Sequence, residues 1–588
     1  MRINGRRLGW LSLAVLTLCT YAHGQQRAAS SLEGSGTLQA KTYGAVCNGS
    51  NDDTDAINRA VNAAVAIAGG AAVPNPPLVP ITVELPAGLC LIHAPIVING
   101  FGSLLGSANG TWIAAAEPWR GTDYTMVEMV APFSGVPGGN GTATINRYVK
   151  DINLRYSSQL HNFTGVKVFN QTGSTPAMPY PANADPYHYQ IPGIRIEGNT
   201  FYTMDTAIDL EDCGECFLEN NQILFVRVGI IDGGNNFSVD VDNDAIKQGS
   251  NSFTSIKTGP TIGIQSYAET RWICRNGSGP GCSGGRPEKV KIVSPQGLSV
   301  SNTIVSTFDM DADIINIQGG GFHDDGFDYG GNGVQPGVAN PAIRLGLINW
   351  FQIDHCLVAN SQAGANPIEI IAPTSAAVDT SNFDGLWITD NYIQSYVAGS
   401  NGAGIYFLPG SNNHRNIYIV DNQFSKLGYG VIVKHPLAQS VIRGNYGFSI
   451  NHALLLFDAA GPDSYKGTVV DENATPDSIP VITVSSGGGL VEQFNQSASQ
   501  LTGLQVASGK GCTFSAGSAG NYCSTIVTLP LAYPDTTYTV LCAVQNGSGR
   551  NTVGSAVAET GQTIKVIEVA LSPQDTGGGE IVCTANHY

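Results

Sequence analysis

The chain has 588 residues, of which 72 are Gly and 30 are Pro, and only 13% are charged. A hydrophobic content of 42% supplies a large core and excludes global disorder. No stretch past the N-terminus reaches about 18 consecutive apolar residues, which excludes a multi-span helical membrane protein. The formal net charge of -17 repels nucleic acid and anionic membranes, because phosphate binding depends on Lys and Arg. High Gly, Asn, Ser and Thr with few Lys and Glu predicts strands and turns rather than helices.

Arg2, Arg6 and Arg7 precede an apolar run from Leu8 to Leu18, and Ala22 and Gly24 put small residues where a signal peptidase reads. Residues 1–24 are therefore expected to be an export signal, with Arg6-Arg7 open to a twin-arginine reading. Residues 25–39 follow as a linker, and the mature chain would be secreted or periplasmic. Loss of three arginines would take the net charge from -17 to -20. Twelve cysteines are present, and Cys19 would leave with the signal. In an oxidising compartment the expected pairs are Cys47–Cys90, Cys274–Cys282, Cys512–Cys523 and Cys542–Cys583. Cys213-Gly-Glu-Cys216 has metal or redox spacing. Without a second such pair or a His set, it reads as a local disulfide or two packed thiols. Cys356, in an apolar strand, reads as a buried free thiol.

A repeat organises the middle of the chain. Short strands end in Asn-x-Phe or Asn-x-Ile at Asn199, Asn221, Asn251, Asn302, Asn391 and Asn422, with a looser copy at Asn445. The interval is 22 residues from Asn199 to Asn221 and 23 from Asn422 to Asn445. A second strand type falls between them: Ala207–Glu211, Gly229–Asp232, Asp313–Ile317, Pro367–Ile370, Gly404–Leu408, Gly430–Lys434 and Ala453–Phe457. Two or three short strands per turn, repeating every ~22–26 residues, predict an all-β parallel β-helix; propeller blades repeat at ~40–50. The recurring Asn tolerates the left-handed conformation of a tight bend, and its amide can bond its stacked neighbour.

The stretch Lys41-Thr-Tyr-Gly44 to Asp52-Asp53-Thr54-Asp55-Ala-Ile57-Asn-Arg-Ala60-Val61 resembles the opening of the pectate-lyase-like superfamily of right-handed parallel β-helices. That superfamily includes polygalacturonases and phage tailspike depolymerases. The resemblance implies an amphipathic helix plugging the first coil, and it covers about residues 40–490. Asp52, Asp53 and Asp55 suit the helix N-terminus, and Ile57, Val61 and Val65 share one face. Val83-Glu-Leu-Pro86-Ala-Gly88 is similar to the family's entry into the first coil. From about Leu501 the repeat stops, and residues 500–588 read as a small antiparallel β-sandwich that loosely resembles tail-fibre tip domains and lectin-like modules. Glycan binding, capping of the β-helix and oligomerisation are equal alternatives for it.

Alternate residues of a β-helix strand face outward, so carboxylates at i and i+2 stand ~6.5–7 Å apart at the backbone, a spacing usable for glycosidase pairs. Asp209 and Glu211 form one such pair and Asp240 and Asp242 another, expected close enough for one site. A third acidic run joins Asp309, Asp311 and Asp313 to His323, Asp324, Asp325 and Asp328, whose carboxylates also suit calcium. The segment Asp242-Asn-Asp244-Ala-Ile246-Lys247-Gln-Gly249-Ser250-Asn251 is similar to a polygalacturonase motif, which implies acid and base duties for Asp242 and Asp244. It departs from that motif in lacking Asn-Thr-Asp upstream, Gly-His-Gly downstream and Arg-Ile-Lys.

The candidate catalytic residues are therefore Asp209, Glu211, Asp242 and Asp244. The candidate substrate-binding residues are Asp240, Lys247, His323, Asp324 and Asp325. The expected activity is a polysaccharide-acting glycoside hydrolase that needs no cofactor, calcium being the one left open. A calcium-dependent lyase using Lys247, Arg271 or Lys434, a fructan-type glycosyl transfer and a non-catalytic glycan-binding protein are the alternatives. A polysaccharide is the expected partner, and a homotrimer stays open.

Overall fold

The computed structural model describes residues 36–587. Left out are 68–80, 100–101, 132–146, 157–161, 171–179, 182–192, 249–261, 267–269, 276–285, 292–297, 306–307, 311–316, 330–340, 372–383, 498–503, 511–521, 530–535, 546–550 and 571–579. The single positions 122, 212, 234, 235, 237, 319, 347, 361, 398, 412 and 537 are also left out. The expected export signal, Cys282, Cys512 and the repeat copy at Asn251 lie outside the described residues.

Each coil supplies three short strands, and these stack in register into three long parallel sheets of 16, 13 and 13 strands. We call them A, B and C in the order the chain visits them. One coil runs Ile194–Glu197 (A), Thr200–Tyr202 (B) and Thr206–Leu210 (C); the next runs Cys216–Glu219, Gln222–Val226 and Val228–Asp232. This is the parallel β-helix that the repeat predicted. What reads in sequence as one strand ending in Asn-x-Phe is two strands, A and B, with the Asn at the corner between them.

The core is a set of identical-face files. On sheet A, Ile196, Leu218, Val241, Val300, Phe322, Ile353, Ile388, Ile419, Ile442 and Val470 pair in succession and all are fully buried. No coil could bury its own apolar face, so each is stable only between neighbours.

The A–B corner carries a column of stacked polar side chains. Asn199 Oδ1 accepts from Ile152 N at 3.0 Å, Asn221 Oδ1 from Asn199 N at 3.1 Å, and Asp244 Oδ1 from Asn221 N at 2.6 Å. The column continues through Thr303 and Asp325. Beyond Cys356 it resumes as Asn391, Asn422, Asn445, Asn473 and Asn495. Each Asn also donates Nδ2 inward, as Asn422 does to Ile388 O at 2.7 Å. The left-handed residue is the one before the column: Asn220, Asn243, Asn302, Asp324, His355, Asp390 and Asp421 all have φ between 51° and 60°. Two assignments are thereby corrected. The ladder Asn bonds its neighbour but does not make the bend, and Asn302 is a bend residue, its column position being taken by Thr303. Cys356 is a buried free thiol as expected, but it occupies the column rather than a strand.

A helix, α1 (Thr54–Ile67), closes the first coil. It buries Ala56, Ile57, Ala60, Val61 and Ala64 against strands Ile81–Glu84, Ile96–Asn99 and Gly102–Leu105. Asp52 caps the Thr54 N–H at 3.0 Å. Asp53 instead accepts from Val46 N and Cys47 N, tying down the loop before the helix. The disulfides Cys47–Cys90, Cys213–Cys216 and Cys542–Cys583 are formed. Cys523 is also disulfide-bonded. The sheet C strand expected at Asp313–Ile317 is instead Phe308–Met310. Toward the C-terminus two three-stranded antiparallel sheets share a separate core that includes Val527, Tyr538, Ile564, Val566 and Ile581. No helix among the described residues is long and apolar enough to cross a membrane.

Buried polar groups make stability depend on pH in two opposite ways. Burial pushes the Asp244 carboxyl up to about 7, and its Oδ2 has no hydrogen-bond partner where the ladder asparagines carry an amino group. A folded-state value above the ordinary one means stability lost as pH rises through it. Asp244→Asn should therefore stabilise the protein at pH 7 by about 1 kcal/mol, read as a raised melting temperature; a lowered one would reject the ladder role. His435 and His414 form the opposite case. His435 donates Nδ1 to Leu408 O and contacts His414 Nδ1 through Nε2 at 2.8 Å, and burial pushes it down to about 4. Its contribution is lost as pH falls from about 6.5 toward 4, so acid should cost the wild type more melting temperature than His435→Gln over that window.

Candidate functional site

Side chains that leave the core at alternate strand positions stack into outward files, and the files carry the chemistry. On sheet C, Glu128, Lys167 and Asp209 face one another on three successive coils. Their strand neighbours Val127, Met129, Val166, Val168, Ile208 and Leu210 are fully buried, which forces the three polar chains outward. Glu211 follows the end of the same strand. Lys167 Nζ lies 2.9 Å from Glu211 Oε1 and 3.8 Å from Asp209 Oδ2, and it also sits 5.3 Å from the Phe169 ring. Asp209 and Glu211 thus both approach one cation, a lysine that sequence patterning did not single out.

The cluster is sheltered: the side chains of Asp209, Glu211 and Lys167 are 13%, 15% and 22% exposed. Burial first, and the Glu211 charge second, push Asp209 up to about 7, against a smaller opposing pull from Lys167. Glu128 is likewise pushed up to about 7 by burial and by Asp123. The Lys167 ammonium is held above its ordinary range because its carboxylate neighbours outweigh the desolvation that opposes them. Asp209 Oδ1 is buried and has no hydrogen-bond partner among the described residues. A carboxyl that keeps its proton near neutrality beside an ionisable partner is the arrangement that general acid–base chemistry uses.

The backbone around this corner is also unusual. Two long insertions leave sheet C for sheet A, one after Thr164–Asn170 and one after Ile262–Ser266. The coils of Asp209 and Asp232 lie between those two. The insertions pair with each other: Tyr180–Pro181 runs parallel to Ile273–Cys274 within Thr270–Arg275, which forms an antiparallel hairpin with Arg286–Lys291. The Asp209 coil therefore adjoins one root of this small sheet, and the Asp232 coil separates it from the other.

The remaining expected residues go elsewhere. Asp240 and Asp242 face outward on sheet A, not sheet C, so the two carboxylate pairs do not form one site. Asp242 accepts from Ser301 Oγ and Asn302 Nδ2, each at 3.1 Å. His323 follows two coils further along the Asp242 file and hydrogen-bonds Asp354, which also contacts His355 at 3.1 Å. Asp324 is an exposed left-handed bend residue. Asp244 and Asp325 are each 3% exposed inside the ladder, where their carboxylates serve backbone N–H groups. They do not face a groove, which corrects the outward placement expected for both. Lys247 lies on the sheet B strand Ala245–Gln248, and its side chain, like that of Asp309, lies outside the described residues, as do Asp311 and Asp313. Lys434, a candidate lyase base, sits 3.8 Å from Asp458. Among the described residues the one group close enough to share a metal ion is Cys47, Asp53 and Cys90, and there the sulfurs are joined to each other.

Lys167 could have been found from sequence: Thr164-Gly-Val-Lys167-Val-Phe169 is a polar residue between two apolar ones, like Ile208-Asp209-Leu210. Its strand lacks the Asn-x-Phe mark, so the register that aligns it with Asp209 was not visible.

No family profile matches the chain, and no curated protein matches it in sequence. Several solved structures resemble it. The tailspike protein gp49 from Pseudomonas phage LKA1 is 11% identical over 93% of this chain and 99% of its own, with a TM-score of 0.46. The tailspike protein of E. coli bacteriophage HK620, as a double mutant, is 11% identical over 94% of each chain, with a TM-score of 0.42. The A-module of the mannuronan C-5 epimerase AlgE6 of Azotobacter vinelandii is 12% identical over 78% of this chain and 99% of its own, with a TM-score of 0.36. Scores this low speak neither to substrate nor to mechanism.

The protonation of Asp209 can be tested without any substrate. Its raised value means stability is given up as pH rises from about 4 to about 7. The stability gap between Asp209→Asn and wild type should therefore widen across that window, by on the order of 2–4 kcal/mol. Lys167→Met, which removes the cation that favours the ionised form, should move the wild-type transition to higher pH. A gap that does not change with pH would show that Asp209 titrates like an exposed carboxyl.

Proposed function

We propose that the chain is a polysaccharide-acting glycoside hydrolase whose acid is Asp209 and whose second carboxyl is Glu211. The observation that carries this reading is the sheltered pair itself: two carboxyls on one outward corner of sheet C, gathered by Lys167, with burial keeping the proton on Asp209. In this reading protonated Asp209 donates to the glycosidic oxygen as the bond to the leaving sugar breaks. Glu211, its Oε1 2.9 Å from the Lys167 ammonium, either attacks the anomeric carbon or activates a water. Lys167 is a positioning residue, since its ammonium holds both carboxylates and sets how the proton is shared. The buried Oδ1 of Asp209 is claimed by no other protein group among the described residues. A flank of stacked coils gives a polymer an extended surface, and the disulfides agree with an oxidising, extracellular setting.

The test is a product-resolved screen of the protein against neutral and acidic polysaccharides, with and without calcium. Hydrolysis should create new reducing ends. Asp209→Asn and Glu211→Gln should each lower turnover by about 10²–10⁴-fold. Activity should fall as pH rises past about 7, where Asp209 loses its proton. Unsaturated, ultraviolet-absorbing products would point instead to a lyase, and cyclic disaccharides to fructosyl transfer. Unchanged turnover in both variants would remove these residues from the chemistry.

A further inference from the structure

Sheet A carries a feature that the carboxylate site on sheet C does not use. Trp350, Trp387 and Tyr418 form a row across three successive coils. Trp387 pairs with Gln352 on one side and with Tyr418 on the other, and Trp350 stands at the start of the Gln352 strand. The ring centroids of Trp350 and Trp387 are 5.6 Å apart with a 37° tilt; those of Trp387 and Tyr418 are 5.7 Å apart and parallel to 1°. Parallel rings at that centroid distance are slid past one another, like overlapping tiles, so part of each face stays open. Trp350 is 61% exposed on a backbone with φ of 60°.

The chain makes room for this arrangement. A Cβ at position 385 would meet the Trp387 ring at 2.7 Å and lie 3.6 Å from the Trp350 backbone, and Gly385 stands there with φ of 89°. The Trp387 ring therefore lies along the strand over Gly385 rather than standing off the sheet.

We propose that this row is a binding site for an uncharged saccharide chain, separate from the Asp209 corner; it rests on the reading of the protein as polysaccharide-acting. Three properties select the ligand. Overlapping aromatic faces attract the C–H-rich face of a pyranose ring and present it with apolar area that water solvates poorly. The coil spacing of ~4.8 Å is about the length of one sugar unit, so successive rings address successive units of a polymer laid along the helix axis. Hydrogen-bonding groups rim the row: exposed Gln352 in its own file, and Asp354 with its His323 and His355 contacts one outward position further along the strand.

The same rim excludes other flat ligands. Asp324, Asp354, Asp390 and Asp421 follow the A–B edge of this sheet on successive coils, and the whole chain carries a charge of -17. Nucleotides and uronates would meet like charge there. A second copy packed through the same face by two-fold symmetry would set that acidic edge against its own image.

The experiment uses the full chain carrying Asp209→Asn, so that retention is read without cleavage. Native gels cast with galactomannan, xyloglucan, dextran or inulin measure retardation, and light scattering measures mass. At least one of these polymers should retard the protein. Trp387→Ala and Trp350→Ala should each weaken that retardation by roughly tenfold, with unchanged mass and unchanged circular dichroism. Trp350→Ala, at an exposed bend, guards against a loss that is merely misfolding. Retardation that survives both substitutions overturns the row while leaving the Asp209 corner standing if the unsubstituted protein still cleaves the polymer. Retardation lost in these variants, in a protein whose Asp209-intact form cleaves nothing, keeps the row and removes the catalytic reading. A halved or otherwise altered mass on substitution makes the row an interface between copies and overturns it. Retardation by none of the four polymers overturns it as well.

Discussion

Every coil of this protein must turn from sheet A to sheet B with its backbone buried, and a buried N–H without an acceptor costs about 1–3 kcal/mol. The stacked side chains at that corner meet this demand once per coil. Where the rung is Asn, the oxygen takes the N–H of the coil before and the amino group returns a bond to a carbonyl, so one residue satisfies two backbone groups. The requirement is for an acceptor at a fixed height, which is why Asp244, Thr303 and Asp325 can stand in the same column. It also places the left-handed residue one position earlier, because the chain must reverse before the ladder side chain can point inward.

This constraint decides what an acidic residue means here. Asp242 and Asp244 are two positions apart in sequence, yet the bend at Asn243 separates them. One lies on an outer face held by Ser301 and Asn302, while the other is enclosed and serves a backbone amide. Asp209 and Glu211 are also two apart, but no left-handed residue intervenes, so both reach Lys167. Burial raises Asp209 and Asp244 alike, and for one physical reason: desolvation of the charged form. What differs is the surroundings. Asp244 faces amides in a closed column, whereas Asp209 faces a lysine at an outer corner with one oxygen unclaimed.

Three sheets also mean three separate outer surfaces. Glu128, Lys167 and Asp209 belong to one; Asp242, His323, Asp354 and the tryptophan row belong to another. Residues far apart in sequence therefore meet when their coils stack. Lys167 and Asp209 do so across 42 positions of chain, because their strands are direct neighbours in sheet C. Neighbours in sequence can part just as readily, as the Asp240–Asp242 pair did from Asp209–Glu211.

The sequence alone determined the solenoid: the 22- and 23-residue returns of Asn, the alternation of apolar residues and the Asp-rich start of α1 are local patterns, and stacking of like coils follows from the inability of one coil to bury itself. It also determined the i, i+2 pair at Asp209 and Glu211, because strand alternation needs no distant partner. Only the tertiary structure decided which carboxylates are ladder rungs and which face outward, and that Lys167 joins Asp209 and Trp350 joins Trp387. Those outcomes depend on inter-coil register, which the lengths of the intervening insertions carry without any mark in the residues themselves.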